Sequence, residues 1–388
     1  MKFEIQEHAS ALQAARGISA LAVTAGHCFT TIIYGRIEEP TFRISGGNAV
    51  LAVGELVLQP NTAVIFFYVL SGFVLGESLR RRPEFKAFAI RRLLRLLPMM
   101  WLSIAVALLA IAFLPLPPLP GATPWFNAFL GQPISTVAIV SDLAGLSWNV
   151  NSVLWSVQIE LAMIPLFPLL MHVGARLRPR ANLAFCGVLA LISTLLWGKL
   201  PAAANAVLYL YCFHLGIILP RLYGDRRSHA LLANGPATAG ALLALLIIEL
   251  MFLTHRLWMP YKYVADALIS TMILGYIVTR PRSAAVAWLA ARPLVWLGDV
   301  SYGFYVYSLS FQLVIAAAVL SSLQAPPTDA MATMLTIVIT LATVVAALAC
   351  AAVSRRWIEL PGIALGQKWS QAISPAALPD ASLVRRSA

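Results

Sequence analysis

Long runs of apolar residues separated by short polar segments dominate the pattern along the chain. A helix needs about 20 mostly apolar residues to cross a bilayer, and ten runs come near that length. The runs 235–254 and 330–353 are the most continuous, whereas 57–79 is interrupted near its start by Gln59, Pro60 and Asn61. The pattern therefore predicts an all-α, polytopic membrane helix bundle of about ten transmembrane helices. The ten predicted spans are 13–33, 57–79, 97–116, 153–173, 182–198, 203–222, 235–254, 263–280, 295–320 and 330–353.

Two segments do not fit the pattern of spanning runs. The stretch 117–152 is too polar and too rich in Pro and Gly for a span, which favours an interfacial or re-entrant piece around Trp125 to Trp148. Residues 370–388 are typical of a short disordered cytoplasmic tail. We therefore expect one transmembrane domain over residues 1–369, followed by that tail.

Composition excludes several soluble classes. Apolar residues make up 60% of the 388 and charged residues only 11%, against roughly 25% charged in a soluble domain. The mean hydropathy is +0.80. A disordered chain, a soluble α/β enzyme and a secreted disulfide scaffold are excluded. The four cysteines lie inside apolar runs without metal-ligand spacing, which indicates inert thiols and no metal site.

The net charge of +12 is explained by membrane orientation without any nucleic-acid partner. If both termini are cytoplasmic, most basic residues fall on the cytoplasmic side, as the positive-inside rule requires. A missing or additional helix would destroy this bias, so it supports ten spans. The opposite side keeps only five of the 28 Lys and Arg residues: Arg36, Arg43, Lys199, Arg256 and Lys262.

Two ionisable residues lie in the first predicted span. Arg16 and His27 are eleven residues apart, a rise of about 16 Å and nearly whole turns of a helix, so they share one face. Taken alone, each residue has a structural explanation beside a functional one. Arg16 can be an interfacial arginine that snorkels, and His27 can be a hydrogen-bonded histidine that serves packing. The shared face favours a functional pair, because ionisable residues within spans are commonly functional.

Glu160 lies in the fourth predicted span at about the depth of His27. A buried glutamate needs a partner, and a carboxylate on one imidazole nitrogen would leave the other as a general base. We therefore expect Glu160 to orient a catalytic His27. The alternative is a structural ion pair between two helices.

Polar and basic residues also gather near the expected cytoplasmic mouth. Arg91, Arg92 and Arg95 share one helix face, which suits either the phosphates of a cytoplasmic ligand or lipid headgroups. Two further pairs of residues are expected near the same mouth. In the pair Ser71 and Gly72, the glycine is also compatible with close helix packing. These pairs are Ser71 with Gly72 and Ser301 with Tyr302.

Six ordered motifs over residues 11–362 resemble those of the membrane-bound acyltransferase-3 family, the integral O-acyltransferases of bacterial surface glycans. Arg16 to His27 matches the family's Arg-x10-His motif. The others are FFYVLSGFVL (66–75), RRLLRLLP (91–98) with Trp101, LWSVQIE (154–160), LGDVSYGFYVY (297–307) and RRWIELP (355–361).

The resemblance implies transfer of an acyl group, commonly acetyl from acetyl-CoA or another acyl-CoA, to a hydroxyl of a saccharide or glycoconjugate. It implies His27 and Glu160 as catalytic residues and Trp155 and Ser156 as acceptor-binding residues. It also implies a multi-pass protein of the bacterial inner membrane, of the stand-alone form without an SGNH domain, whose partners are membrane lipids and the two substrates. A homo-oligomer is left open. The expected donor-binding residues are Arg16, Ser71, Gly72, Arg91, Arg92, Arg95, Ser301 and Tyr302.

The chain departs from the family at two places. Leu161 to Ile164 follow Glu160 where the family often has a second acid, Gln and aromatics, and Ser308 replaces a histidine that is common after the Ser-Tyr segment. These departures concern the acceptor more than the reaction. The competing hypothesis is a proton-coupled membrane transporter or exporter that uses His27 and Glu160 as a relay. A non-catalytic scaffold would not explain the matched ionisable residues.

Overall fold

The computed structural model describes residues 2–32, 47–114 and 117–373. Within these ranges the chain is helical and forms no strand, although one isolated antiparallel bridge pairs Ile32 with Ala122. The prediction of an all-α polytopic helix bundle is confirmed. The predicted tail begins inside a helix that continues to Ile373, and its remainder, 374–388, lies outside the described residues, as do Arg36 and Arg43.

Most helices are long enough to traverse the whole bundle, and short helices cap its ends. In chain order they are α1 (Lys2–Phe29), α2 (Ala49–Val57), α3 (Pro60–Arg81), α4 (Phe85–Ile111), α5 (Pro124–Asn127), α6 (Thr136–Leu143), α7 (Leu154–Arg176), α8 (Pro179–Leu196), a 3-10 helix (Ala202–Tyr209), α9 (Leu210–Gly224), α10 (Arg226–Leu232), α11 (Gly235–Leu253), α12 (Met259–Thr279), α13 (Ala284–Leu289), α14 (Arg292–Leu320), α15 (Asp329–Ser354), a π-helical segment (Arg355–Glu359) and α16 (Leu360–Ile373).

Nine helices of the described ranges are long and apolar enough to cross a membrane, and they coincide with nine of the ten predicted spans. The tenth prediction falls on α1, which has 28 residues and is therefore about 42 Å long at 1.5 Å per residue. Arg16 and His27 interrupt its apolar run. The helix is instead shielded by its neighbours, since α3, α14 and α15 pack around it.

We name the two ends of the bundle after their residues. At the arginine end, α3 finishes with Arg81 and α4 begins; at the His27 end, α1 finishes with Phe29 and α3 begins with Pro60. Successive long helices run in opposite directions between these ends. This alternation fixes the depth of every residue discussed below.

Close glycine contacts position α1 against α14. A Cβ on Gly298 would lie 1.9 Å from the carbonyl oxygen of Gln13, and a Cβ on Gly17 would lie 2.5 Å from the backbone nitrogen of Gly298. Small residues at such crossings allow two backbones to approach each other. The crossing places the next turn of α14, with Ser301 and Tyr302, beside Arg16.

Gly72 has the same role between α3 and α9. A Cβ on Gly72 would lie 2.1 Å from the Phe213 carbonyl oxygen, and one on Gly216 would lie 2.0 Å from the Val69 carbonyl oxygen. The space beside Gly72 is therefore filled by the backbone of α9. Helix packing thus accounts for the glycine, and the contact of Gly72 with the donor stays a prediction.

The segment between α4 and α7 is fastened to the end of α1 and contains only the short helices α5 and α6. Thr123 donates a hydrogen bond from Oγ1 to the Thr30 carbonyl oxygen at 2.7 Å, and its backbone nitrogen donates to Thr31 O at 2.9 Å. Buried Asp142 accepts from the backbone nitrogens of Asn149 and Val150. These bonds hold the whole segment at the His27 end.

The close crossing of α3 and α9 generates a stability prediction. Gly216→Ala should destabilise the protein by about 1–3 kcal/mol because the new methyl group collides with backbone. Gly187→Ala is the matched control, since nothing lies within 4 Å of a Cβ there, and it should be neutral or slightly stabilising. Thermal unfolding in detergent measures both. Equal midpoints for the two variants would contradict the packing role.

Candidate active site

A buried ion pair lies at the centre of the bundle. Arg92 on α4 donates from Nη2 to Oε2 of Glu160 on α7 at 2.7 Å, and Ser71 Oγ on α3 donates to the other carboxylate oxygen, also at 2.7 Å. The side chains of Arg92 and Glu160 are 7% and 17% exposed. Glu160 therefore links three helices through both of its oxygens.

Further charges surround this pair. Arg16 interacts electrostatically with Arg92, Arg95, Glu160 and Glu359, and Arg95 interacts with the same two glutamates. Three guanidinium groups thus face two carboxylates, which leaves one positive charge in excess. In a region of low dielectric constant such an excess attracts an anion or the negative end of a dipole.

These charges border a small central chamber of about 50 Å³. Ser301 and Tyr302 of α14 line it, with their hydroxyl groups bonded to backbone oxygens of Gly298 and Leu96. Ser156 of α7 lies 2.7 Å from the Tyr305 hydroxyl, oxygen to oxygen. The remaining residues that line the chamber are Arg16, Val64, Phe67, Tyr68, Val157 and Glu160.

His27 lines a separate, larger cavity of about 440 Å³ at the other end of α1. Three tryptophans line the same cavity: Trp125 and Trp148 from the segment before α7, and Trp155 from α7 itself. The imidazole stacks on the Trp125 ring at a centroid distance of 5.8 Å. We call this space the His27 cavity.

The imidazole of His27 is not paired with Glu160. Its Nδ1 atom is buried without a hydrogen-bond partner in the described ranges, and Glu160 bonds to Ser71 and Arg92 instead. The expected pairing is therefore wrong in this structure. The two residues lie in successive spaces, Glu160 at the chamber and His27 in the cavity beyond it, and Arg92 reaches Glu160 from the arginine end. Gln312 donates to the His27 carbonyl oxygen at 2.8 Å and so holds the end of α1.

A third cavity, of about 740 Å³, opens at the arginine end. Arg81, Arg82 and Arg91 line it, with Glu77 as the carboxylate among them. Apolar residues of α1, α3 and α12 form much of the remaining wall, and Tyr223 of α9 and His229 of α10 complete it. We call this space the arginine cavity.

The three arginines expected to bind phosphate together are separated by the structure. Arg91 lines the arginine cavity, Arg92 bonds to Glu160, and Arg95 lies in the buried charge cluster. The three arginines do share a face of α4, but the Glu160 carboxylate on α7 attracts Arg92 toward the centre of the bundle. Arg81 and Arg82, which the sequence analysis did not select, stand beside Arg91 in its place.

The chamber lies between the two larger cavities. On α1, Leu12 lines the arginine cavity and Arg16, one turn further, lines the chamber. On α7, Trp155 lines the His27 cavity and the adjacent Ser156 lines the chamber. The three spaces therefore form a series from one end of the bundle to the other.

Comparison with known proteins identifies the family of the chain. A family model described as an acyltransferase domain matches residues 10–355. The chain belongs to the acyltransferase-3 family. It is accordingly an acyltransferase and a multi-pass membrane protein. No curated protein and no solved structure matches the chain.

In this acyltransferase, several residues around the three spaces escaped the sequence analysis. Tyr68 and Tyr305 line the chamber, and Glu359 joins the charge cluster from the far end of the chain. The hydroxyl of Tyr68 is buried without a partner in the described ranges. RRWIELP and the tryptophans of 117–152 were visible as unusual local features, but only the fold brings them to the site.

The central ion pair generates a second prediction. Arg92→Met should destabilise the acyltransferase by about 3 kcal/mol, because Glu160 keeps its burial and loses its direct counter-charge. The double variant Arg92→Met/Glu160→Gln should cost less than the sum of its parts, because the two residues are in contact. Thermal unfolding of the three variants in one detergent measures this coupling.

Arg81→Met is the control, because its contact with Glu77 is 4.0 Å long and the Arg81 side chain is exposed. It should leave the unfolding midpoint unchanged. An Arg92→Met variant as stable as the wild type, or strict additivity in the double variant, would show that the pair carries no stabilisation.

Proposed function

We propose that this acyltransferase moves an acyl group, acetyl above all, from a cytoplasmic acyl-CoA in the arginine cavity to a saccharide hydroxyl in the His27 cavity. The observation that carries the proposal is the series of three spaces, with guanidinium groups at one end and an imidazole among tryptophans at the other. The bacterial inner membrane is the setting in which the donor meets the arginine end.

The chemistry of the arginine cavity supports a phosphorylated donor. Guanidinium groups form charge-assisted, often bidentate hydrogen bonds with phosphate oxygens, and Arg81, Arg82 and Arg91 offer three of them. Apolar side chains such as Phe73 and Val278 line the same cavity and suit the adenine ring of a coenzyme A. The acyl thioester then points along α1 toward the chamber.

The His27 cavity suits a saccharide. Aromatic rings offer flat apolar faces with polar edges, and the apolar faces of sugar rings stack on such surfaces. Gln59 and Asn61 supply amide groups between the tryptophans. Trp155 belongs to this cavity and Ser156 to the chamber, so of the two proposed acceptor-binding residues we retain Trp155 and assign Ser156 to the passage.

His27 is the proposed general base. It removes the proton of the acceptor hydroxyl while the oxygen attacks the thioester carbonyl carbon. The new C–O bond forms as the C–S bond breaks, and the leaving thiolate of coenzyme A receives the proton. The excess positive charge of Arg16, Arg92 and Arg95 over Glu160 and Glu359 stabilises the oxyanion on the carbonyl.

The chamber must widen for this reaction. Its volume of about 50 Å³ is comparable with one or two water molecules and is too small for a thioester arm. Trp155 and Tyr68 stand at its border with the His27 cavity, with ring centroids 6.3 Å apart. We propose that these two rings separate when both substrates are bound.

The competing hypothesis of a proton-coupled transporter accounts neither for the match to an acyltransferase family nor for the arginine cavity. We therefore do not retain it.

His27 gives the first functional prediction. His27→Ala should lower acyl transfer by about 10²- to 10⁴-fold, the usual contribution of a general base, while coenzyme A affinity stays unchanged. Radiolabel transfer from acetyl-CoA to endogenous glycans in membranes measures the rate. His172→Ala, an exposed histidine on α7, is the control and should retain full activity. Normal transfer by His27→Ala would remove the proposed base.

Arg91 gives the second functional prediction. Arg91→Ala should weaken coenzyme A binding about 10- to 100-fold, since a hydrogen bond to a charged group contributes about 1.5–3 kcal/mol. Isothermal titration in detergent with coenzyme A measures the affinity. Arg180→Ala, exposed on α8 and outside the arginine cavity, should bind like the wild type. Equal affinities for both variants would show that the phosphates bind elsewhere.

A further inference from the structure

A fourth cavity, of about 260 Å³, lies on the flank of the bundle and has no role in the reaction proposed above. Val57 of α2 and Leu246 of α11 line it and are also 57% and 40% exposed. The cavity therefore opens sideways on the surface of the bundle. The neighbouring outward face of α11 carries exposed Leu242, Leu243 and Ile247, which is the composition of a surface in contact with lipid. We call this space the lateral cavity.

The amide and carboxylate groups of the lateral cavity lie toward its His27 end, and its deeper part is mostly apolar, with Ser19 and Ser270 as the polar exceptions. Toward the His27 end it is lined by Gln59, Thr62 and Glu249. Further along the helices, at 1.5 Å per residue, Phe66 lines it about 6 Å beyond Thr62 on α3, and Ile273 lines it about 10 Å beyond Asp266 on α12. An amphiphile inserted from the leaflet at the His27 end would meet these surfaces in the same order as its own polar and apolar parts.

The polar end contains a buried hydrogen-bond acceptor that the protein leaves unused. Glu249 is 2% exposed, and its Oε1 accepts from Thr62 at 2.5 Å and from Lys262 Nζ at 2.9 Å. Lys262 also bonds Asp266 at 2.7 Å. The second oxygen of Glu249 has no partner in the described ranges. A buried polar atom without a partner is costly, and a hydroxyl donor on a ligand would satisfy this one.

The lateral cavity adjoins the His27 cavity. Gln59, at the junction of α2 and α3, lines both spaces. A ligand chain in the lateral cavity therefore has its polar end beside the position proposed for the accepting sugar.

Charge restricts the class of ligand further. No Lys or Arg of the described ranges lines either cavity, whereas Glu55 lines the His27 cavity and Glu249 the lateral one. Lys262 is already shared by two carboxylates. A phosphate between sugar and lipid would meet the buried Glu249 carboxylate at this place, with no Lys or Arg among the described residues that line it.

We propose that the lateral cavity binds the hydrocarbon chain of a lipid-borne acceptor whose sugar is joined to the lipid through a neutral linkage: a glycolipid without phosphate beside the sugar. This inference rests on the proposed function, since it names the acceptor class for the His27 cavity. The sugar occupies the His27 cavity, the linkage lies against Gln59 and Glu249, and the chain extends toward Ile273.

Photolabelling tests the proposal. The protein in lipid nanodiscs is irradiated with hexadecyl glucoside that bears a diazirine on its chain, and labelled peptides are identified by mass spectrometry. We expect labels on the cavity walls of α3, α11 and α12. Unlabelled hexadecyl glucoside should compete at least tenfold better than hexadecyl phosphate, and Glu249→Gln should reduce that preference.

Ser270→Phe fills the cavity from α12 and should abolish the labelling, whereas Leu243→Phe, on the outward face of α11, should not. Both variants should elute as single species and bind coenzyme A like the wild type, which separates a filled cavity from a misfolded protein. Labels spread over the outward leucines, unchanged labelling of Ser270→Phe, or better competition by the phosphate would overturn the proposal. A wild type that labels as expected but does not bind coenzyme A would contradict the proposed function and leave lipid binding standing.

Discussion

The ion pair between Arg92 and Glu160 is the constraint on which the centre of the bundle depends. A carboxylate within a bilayer must be paired inside the protein. Glu160 is paired with Arg92 on α4 and with Ser71 on α3. The pair thereby sets how deeply the amino-terminal part of α4 approaches the chamber. It also separates two neighbouring arginines: Arg92 points inward to Glu160, whereas Arg91 lines the arginine cavity. This single bond accompanies the division of the arginines between the arginine cavity and the central charge cluster.

The helices were predictable from the sequence because apolar length is a direct requirement of the bilayer. Nine predicted spans coincide with helices that satisfy this requirement, and α1 escapes it because neighbouring helices shield Arg16 and His27 from lipid. Arg16, Ser301 and Tyr302 were also expected near one another from their motifs, although at the cytoplasmic mouth and not at the central chamber that they line. In each case the information is local: a run, a spacing or a depth.

Lateral relations were not predictable in the same way. His27 and Glu160 were expected at a similar depth, yet Glu160 lines the chamber and bonds to Arg92 while His27 lines the cavity beyond it, because an apolar run fixes neither the exact ends of a helix nor its neighbours. Gly72 illustrates the same limit, since the residue that fills its space, Phe213, is distant in the sequence. The cluster of Lys262, Glu249 and Asp266 was missed because Lys262 looked like a residue of the outer surface, whereas it is fully buried.

The polar groups of this acyltransferase differ in chemical type between the two ends of the bundle. Guanidinium groups are concentrated at the arginine cavity and in the charge cluster beside the chamber, whereas the polar residues of the His27 and lateral cavities include amides and carboxylates and no Lys or Arg of the described ranges. Such a distribution suits an anionic donor at one end and a neutral acceptor at the other. For the function proposed above, it gives a physical reason why the donor and the acceptor would approach from opposite ends of the bundle.

Transfer across the membrane in sealed vesicles tests this central claim most directly. Radiolabelled acetyl-CoA is added outside vesicles prepared from membranes that contain the protein and its endogenous acceptor. In inverted vesicles, with the arginine end outward, we expect label to enter the acceptor. In right-side-out vesicles we expect labelling only after permeabilisation. Equal labelling of sealed vesicles in both orientations would contradict the account.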